Sequence, residues 1–265
     1  ARNVTSTLTV NKANQATLTM SSADSAIFGQ TIALATTGGS GTGQIAYAID
    51  AGTCTVSSDE LTLGNAGSLC RVSATKVGDA NYNSVSSASQ TITIVQAGQT
   101  LAFTSNVPAT PVAGDTYTPT ASSTSNVTGS TSGITPSITV AAGSASVCSV
   151  ATGIVTFATS GSCVIQANAS STTNFSAAAQ VTQTVVVGSR NQSIDFTQPS
   201  NVSYGTASMA MSATATSGLD GAFTLGAGTT SSACTVSSLG VVTILAVGTC
   251  EIVAAQAGDL VYAPA

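Results

Sequence analysis

Six cysteines fall in three pairs whose internal spacing hardly varies, and this repetition limits the fold more than any other feature of the 265 residues. The first members sit in "CTVSS" (Cys54), "CSVAT" (Cys148) and "CTVSS" (Cys234), and the second members in "CRVSA" (Cys70), "CVIQA" (Cys163) and "CEIVA" (Cys250). The separations within pairs are 16, 15 and 16 residues. An aromatic residue follows each second cysteine by 12 positions every time, at Tyr82, Phe175 and Tyr262. Each copy opens near a glutamine (Gln15, Gln99, Gln192), with a glycine (Gly29, Gly114, Gly205) 13 to 15 residues later. The copies therefore start 84 and 93 residues apart, and a chain with such a period is a series of small units.

Within each unit apolar residues alternate at period two, as in Ile32/Leu34, Ile45/Tyr47/Ile49, Val72/Ala74 and Ile92/Ile94. That alternation belongs to strands with one buried face. Thr, Val and Ile dominate while Lys, Glu and Arg are scarce, so propensity disfavours helix as well. Turn clusters such as "TTGGSGTG" and "SSTSNVTGSTSG" separate the strands. Six to seven strands in ~90 residues is the count of an immunoglobulin-like sandwich. The expected fold is all-β: three tandem immunoglobulin-like β-sandwich modules in an elongated array, with no helix longer than a turn or two.

The run "ANQATLTM…FGQTIALATTGGSGTGQIAYAI…GTCTV…AGSLCRVSATKVGDANYNS…TITI" resembles the bacterial immunoglobulin-like repeats of large surface and secreted proteins. The second and third units look like divergent relatives that keep both cysteines and the aromatic. The resemblance spans essentially the whole chain and specifies fold better than function. It implies an extracellular location, at a bacterial cell surface or secreted, and a role as spacer or, in some members, as adhesive tip. It carries no catalytic residue to transfer.

The second cysteine of each pair shares strand parity with Val72/Ala74, Ile165/Ala167 and Ile252/Ala254. That parity is the core face, so Cys54–Cys70, Cys148–Cys163 and Cys234–Cys250 are expected to be buried disulfides within their modules. Closing a loop of about 15 residues contributes ~3 kcal/mol in the chain-entropy description. Three such pairs point to an oxidising compartment rather than to free thiols in a cytosol. A zinc or redox site fits poorly, because the spacing is not CxxC and no histidine exists to complete a metal shell.

Charge narrows the partners. Charged residues are 6% of the chain, far below the roughly 25% usual for soluble domains, and the net charge is −5. A surface of Ser, Thr, Asn and Gln with five basic residues cannot hold a phosphate backbone, so nucleic acid is excluded as a partner. No apolar run approaches the ~18 residues of a membrane span, so no membrane insertion is expected. The N-terminus has no signal-peptide h-region, so an exported protein would carry this sequence after loss of its signal or as a window of a longer chain.

Catalysis by general acid–base or nucleophilic routes finds no candidate: histidine is absent, and Val77 to Ser189 contains no Lys or Arg. The adjacent carboxylates Asp59 and Glu60 read as a polar turn before Leu61. No DxDxDG-type cluster offers a calcium site, and isolated Asp79 or Asp259 could at most assist a weak one. Catalytic residues, metal and cofactors are all expected to be none. Lys12 and Lys76 are the only lysines, so the second and third units cannot form Lys–Asn isopeptide bonds. Few aromatic rings remain for a carbohydrate platform, and Thr-x-Thr runs place Thr on ordinary solvent faces. Six Asn-x-Ser/Thr sequons, at Asn3, Asn126, Asn168, Asn174, Asn191 and Asn201, are a number that such a composition produces by chance.

The two ends of the sequence complement each other. After Tyr82 and Phe175 the chain runs into the strands "SQTITIV" and "TQTVVV", whereas "GDLVYAPA" has no such strand after it. A strand of that type stands instead in "ARNVTSTLTV". Val10, Ile94 and Val187 each lie five residues before the glutamine of the next module. From Tyr82 to Ile94 and from Phe175 to Val187 is 12 residues; Tyr262 is three residues from Ala265 and ten more lead to Val10, thirteen in all. A ten-residue strand reaches at most ~35 Å, too little to fold back along three serial sandwiches.

The expected division is therefore residues 1–10 as the last strand of a preceding or neighbouring module, 11–96 as module 1, 97–189 as module 2, and 190–265 as module 3 lacking its last strand. The expected partner is another copy, head to tail, through a covalent tandem array or through donor-strand exchange. Thr7, Leu8, Thr9 and Val10 form the inter-unit strand, with Leu8 and Val10 inward. Low charge leaves room for lateral bundling. The expected function is a structural fibre, stalk or sheath. The alternative is an adhesin segment binding a glycan or protein through the long insert of module 2, where Gln99 to Cys148 spans 49 residues against 39 and 42 in the others.

Overall fold

A computed structural model describes residues 1–128 and 131–265, and among them the only helix is one 3-10 turn at Ala142–Ser144. The remaining regular structure is strand, as the Thr/Val/Ile-rich alternation dictates. The chain divides into two compact units: Ala1–Ala102 with Ala121–Ser137 and Ala167–Val181, and Phe103–Thr120 with Ile138–Gln166 and Thr182–Ala265.

In the first unit the first cysteine repeat is a two-sheet sandwich. One sheet has the order Ser25–Ile27, Gln90–Val95, Leu69–Lys76, Ile45–Gly52, with Val85–Ser86 also pairing on Leu69–Lys76. Its first pair is parallel (Ile94 opposite Ala26) and the next is antiparallel (Ile92 opposite Cys70). The facing sheet has the order Thr31–Ala33, Glu60–Thr62, Thr55–Ser57, and Leu18–Met20 pairs with Thr36–Gly38 beside it. The chain thus enters in one layer and crosses to the other, where it lies parallel to the last strand. This is immunoglobulin-like connectivity.

Leu34, Leu61, Cys70, Val72, Ile92 and Ile94 fill the space between the layers, all at most 4% exposed. Gly52 has φ +106, and a Cβ there would lie 1.8 Å from the Leu69 carbonyl oxygen. Only glycine closes that end of the ladder.

The second cysteine repeat contributes to both units. Its residues 172–176 join the first unit because they pack on the first repeat, where Phe175 meets Phe28 edge to face with centroids 5.6 Å apart. In the second unit, Thr116–Tyr117, Ile154–Phe157 and Cys148–Ala151 make a three-stranded sheet. It lies over a core of Val155, Phe157, Cys163, Ile165, Val185 and Val187.

The third repeat keeps the same plan with fewer strands. Ile194–Phe196 pairs with Ala213–Ala215, and Met209–Ala210, Val241–Ile244 and Cys234–Val236 form a three-stranded layer. The other layer is only the pair Ala222–Leu225 and Ile252–Ala255.

Candidate assembly site

The three strands that carry the second cysteines give a direct comparison. In the first repeat Cys70 and Val72 are 0% exposed and Ala74 1%; in the second, Cys163, Ile165 and Ala167 are all 0%. In the third, Cys250, Ile252 and Ala254 are only half-buried. The residue types are equivalent, so the difference lies in what covers them. Ile92 and Ile94 of the last strand cover the first set, and Val185 and Val187 belong to the core over the second. No strand occupies that place against Ile252–Ala255 among the described residues.

The consequence is an open groove of about 740 Å³ between residues 198–204 and 248–252, walled by Val202, Tyr204, Met209, Met211, Ile244 and Ile252. The segment 200–204 corresponds to Asp24–Phe28 of the first repeat, counted back from Gly205 and Gly29. There it lies parallel to the last strand, with the Phe28 amide donating to the Val95 carbonyl (2.9 Å). In the third repeat it has no strand assignment, and Val202 and Tyr204 face solvent.

The disulfides close as Cys54–Cys70, Cys148–Cys163 and Cys234–Cys250. One expectation needs correction: Cys250 is half-buried rather than fully buried, because the sheet beside it is incomplete. Thr7, Leu8, Thr9 and Val10 belong to a wholly exposed segment, residues 1–10, with no strand assignment. Leu8 is 89% and Val10 85% exposed.

The anchor aromatics sit in loops held by local hydrogen bonds. The Asp79 carboxylate accepts from the Thr42 amide (2.7 Å) and from the Asn81 and Tyr82 amides (2.9 Å each). The Thr42 amide, followed by the Asn81 amide, holds its pKa down at about 2. Asp259 accepts in the same way from the Val261 and Tyr262 amides (2.7 Å). Thr172 replaces the carboxylate in the second repeat, its Oγ1 accepting from the Phe175 amide (3.2 Å). Both aspartates thus hold their loops through backbone amides, and among the described residues no group of three His, Cys, Asp or Glu could hold a metal.

Each aromatic also makes a parallel bridge to the residue two before the repeat glutamine: Ala13 with Tyr82, Ala97 with Phe175, Arg190 with Tyr262. The glutamines themselves were legible as markers but not as parts. Their Nε2 atoms donate to the carbonyls of Asn83 (2.8 Å), Ser176 (2.6 Å) and Ala263 (2.6 Å), tying each entry segment to its own aromatic loop. A polar residue at a fixed place before an apolar alternation was the available signal.

Within the long insert of the second repeat, Gln99 to Cys148, the stretch 121–137 carries no aromatic or charged side chain, and Phe103, Asp115 and Tyr117 stand before it. Part of it, residues 129 and 130, lies outside the described residues. Among the described residues no helix is long and apolar enough to cross a membrane.

No family model matches the chain, and no curated protein does. Solved structures similar to it include the protocadherin gammaB7 EC3-6 cis-dimer (13% identity, 92% of this chain and 72% of that one, TM-score 0.30). Mouse protocadherin-24 EC1-3 aligns at 10% identity over 97% and 94%, with TM-score 0.31. FdeC, an Escherichia coli adhesin, aligns at 14% identity over 96% of each chain, with TM-score 0.27. Likeness at this level carries no argument about activity, and the immunoglobulin-like assignment rests on the strand pairing itself.

Proposed function

We propose that this chain is a structural extracellular repeat protein, one unit of a head-to-tail surface fibre, stalk or sheath. In this reading residues 11–96, 97–189 and 190–265 are three serial sandwiches. Residues 1–10 of the next unit form the strand that completes the third. The single observation behind it is the incompletely buried face of Cys250, Ile252 and Ala254, where the equivalent residues of the other repeats are buried. An unpaired sheet edge over an open core takes up strands. The segment with the right pattern, Leu8 and Val10 alternating with Thr7 and Thr9, is unpaired and exposed in the same chain. Three disulfides favour an oxidising, extracellular setting. Sparse charge favours lateral bundling of neighbouring fibres.

The register follows from the first repeat, where Thr93 lies opposite Leu69 and Ile92 opposite Cys70. Transferred to the third, Leu8 lies opposite Cys250 and Thr9 opposite Thr249. The test is the 265-residue chain carrying Thr9→Cys and Thr249→Cys. Oxidation is expected to yield a ladder of disulfide-linked oligomers, and Leu8→Asp to abolish it. A chain that stays monomeric at high concentration with residues 1–10 disordered refutes the reading. The mass of native material after denaturation and reduction separates the two routes: a very large polypeptide means a covalent array, a band near 26 kDa, the 25.7 kDa of the sequence, means exchanged strands.

A further inference from the structure

Two contacts between consecutive repeats can be compared atom by atom. Where the second repeat meets the first, Phe175 packs edge to face on Phe28, and the Asn174 Oδ1 accepts the Ala66 amide at 3.0 Å. The Asn174 Nδ2 donates to Asn65 Oδ1 at 3.1 Å. Where the third meets the second, the Ser160 amide donates to the Leu260 carbonyl at 2.7 Å, and Arg190 lies over Gly114. Ala113, at the place of Phe28, is fully buried there. The two contacts share one part: an amide in the turn before the second cysteine, of Ala66 and of Ser160, donates to the aromatic loop of the following repeat. In the first of them the residue before the repeat glycine, Phe28, also receives the aromatic ring.

The receiving half of the first contact occurs again, uncovered. Tyr204 precedes Gly205 as Phe28 precedes Gly29, and Val247 precedes Gly248 as Ser160 precedes Gly161. Tyr204 is 69% and Val247 85% exposed. The second half also stands free, on the first repeat. Tyr82 is half-buried and Asn81 exposed, whereas the equivalent Phe175 is 5% exposed and Asn174 half-buried under their partner. The backbone marks agree. The Phe28 amide donates to Val95 and the Ala113 amide to Gly188, both at 2.9 Å, which makes Asn11 of an incoming strand the acceptor for the Tyr204 amide.

Resting on the head-to-tail reading above, we infer that the occupant of this end face is the Gly78–Asn83 loop of a second copy. Tyr82 of that copy packs edge to face on Tyr204, and Asn81 accepts from the Val247 amide. The strand and the loop then form one continuous interface: residues 4–11 fill the groove, and the chain emerging at Ala13 brings its own bridged Tyr82 onto Tyr204. An aromatic pair of this kind changes affinity by about two- to tenfold.

The experiment is photo-oxidative tyrosine coupling of the 265-residue chain, carrying Thr9→Cys and Thr249→Cys and prepared as an equal mixture of light- and heavy-isotope copies. Mass spectrometry then reads coupled peptides. The expected result is a Tyr82–Tyr204 coupled peptide joining light to heavy copies, lost in Tyr204→Phe and in Tyr82→Phe but kept in Tyr47→Phe. Tyr204→Ser is expected to raise the half-assembly concentration by about two- to tenfold. A full disulfide ladder without the Tyr82–Tyr204 peptide overturns this junction and leaves head-to-tail assembly standing. Absence of both ladder and peptide overturns the two together.

Discussion

Leu8→Ala separates assembly from folding, because Leu8 is 89% exposed in the chain itself. Truncating an exposed side chain of a segment without structure changes unit stability by no more than about 0.5 kcal/mol. In the proposed interface the same side chain takes the place held by Ile92 in the first repeat, which is 0% exposed opposite Cys70. Full burial of a leucine is worth about 1.5–3 kcal/mol, which at about 1.4 kcal/mol per decade is roughly ten- to hundredfold in association. Sedimentation velocity over a concentration series reads the half-assembly point, and urea unfolding at low concentration reads the unit. Leu8→Ala is expected to shift the first by that factor and leave the second unchanged. Thr7→Ala, on the outward face, is expected to move the half-assembly point by less than about twofold. Ile92→Ala supplies the contrast, since a buried isoleucine truncated to alanine costs about 2–5 kcal/mol of unit stability. Equal effects of Leu8→Ala and Thr7→Ala on association refute the inward placement of Leu8.

Graded reduction with alkylation and mass mapping is expected to open Cys234–Cys250 before the other two disulfides, since Cys250 is only half-buried while Cys70 and Cys163 are 0% exposed. A peptide of residues 1–12 added in excess is expected to slow that step alone. Gln99→Ala removes two side-chain bonds to the carbonyls of Ser170 and Ser176 from a residue 7% exposed, and is expected to lower the urea-derived stability by about 1–3 kcal/mol. Asp79 has its pKa lowered from 3.8 to about 2 by amide hydrogen bonds, so its carboxylate stabilises the fold above the unfolded value and the effect is lost as pH falls towards about 2. Asp79→Ala is therefore expected to be less stable than the native chain at neutral pH, with the two melting curves converging between about pH 4 and pH 2.

Much of this arrangement is written in local pattern. Ile92/Ile94 and Val72/Ala74 alternate because one face of each strand is buried, and they sit where that alternation puts them, at most 1% exposed. Ile45 shares the pattern but is 39% exposed, because it lies at the start of its strand beyond the core residues. The parallel pairing of Ser25–Ile27 with the last strand was not legible, since a three-residue segment has no period and its partner lies some 68 positions away. The same lack of a period hides the role of the position before each repeat glycine. Phe28, Ala113 and Tyr204 share no residue type; their common offset from the repeat glycine aligns them, and the amide geometry of the first two shows what the position does. The glutamines were visible as a spacing, but their hydrogen bonds join residues about 70 positions apart, as Gln15 does with Asn83, and spacing alone does not show a bond.

The proposed junction also explains why donor and acceptor stand on different repeats rather than on one. A contact between two different surfaces of the same chain is heterologous, and each added copy leaves one donor and one acceptor free, so growth continues unless a ring closes. Supplying both a strand and an aromatic loop makes the contact specific. In the proposed junction the strand supplies alternating apolar residues, Leu8 and Val10 among Thr and Ser, and the loop adds a second contact at Tyr204 and Val247. The groove residues of the third repeat differ from their counterparts in the first, with Met209 and Met211 among them, and flexible methionines adapt to an incoming side chain. In the proposed junction the first sandwich, closed by its own Gln90–Val95, presents the loop and the third presents the open groove, so the contact has one polarity.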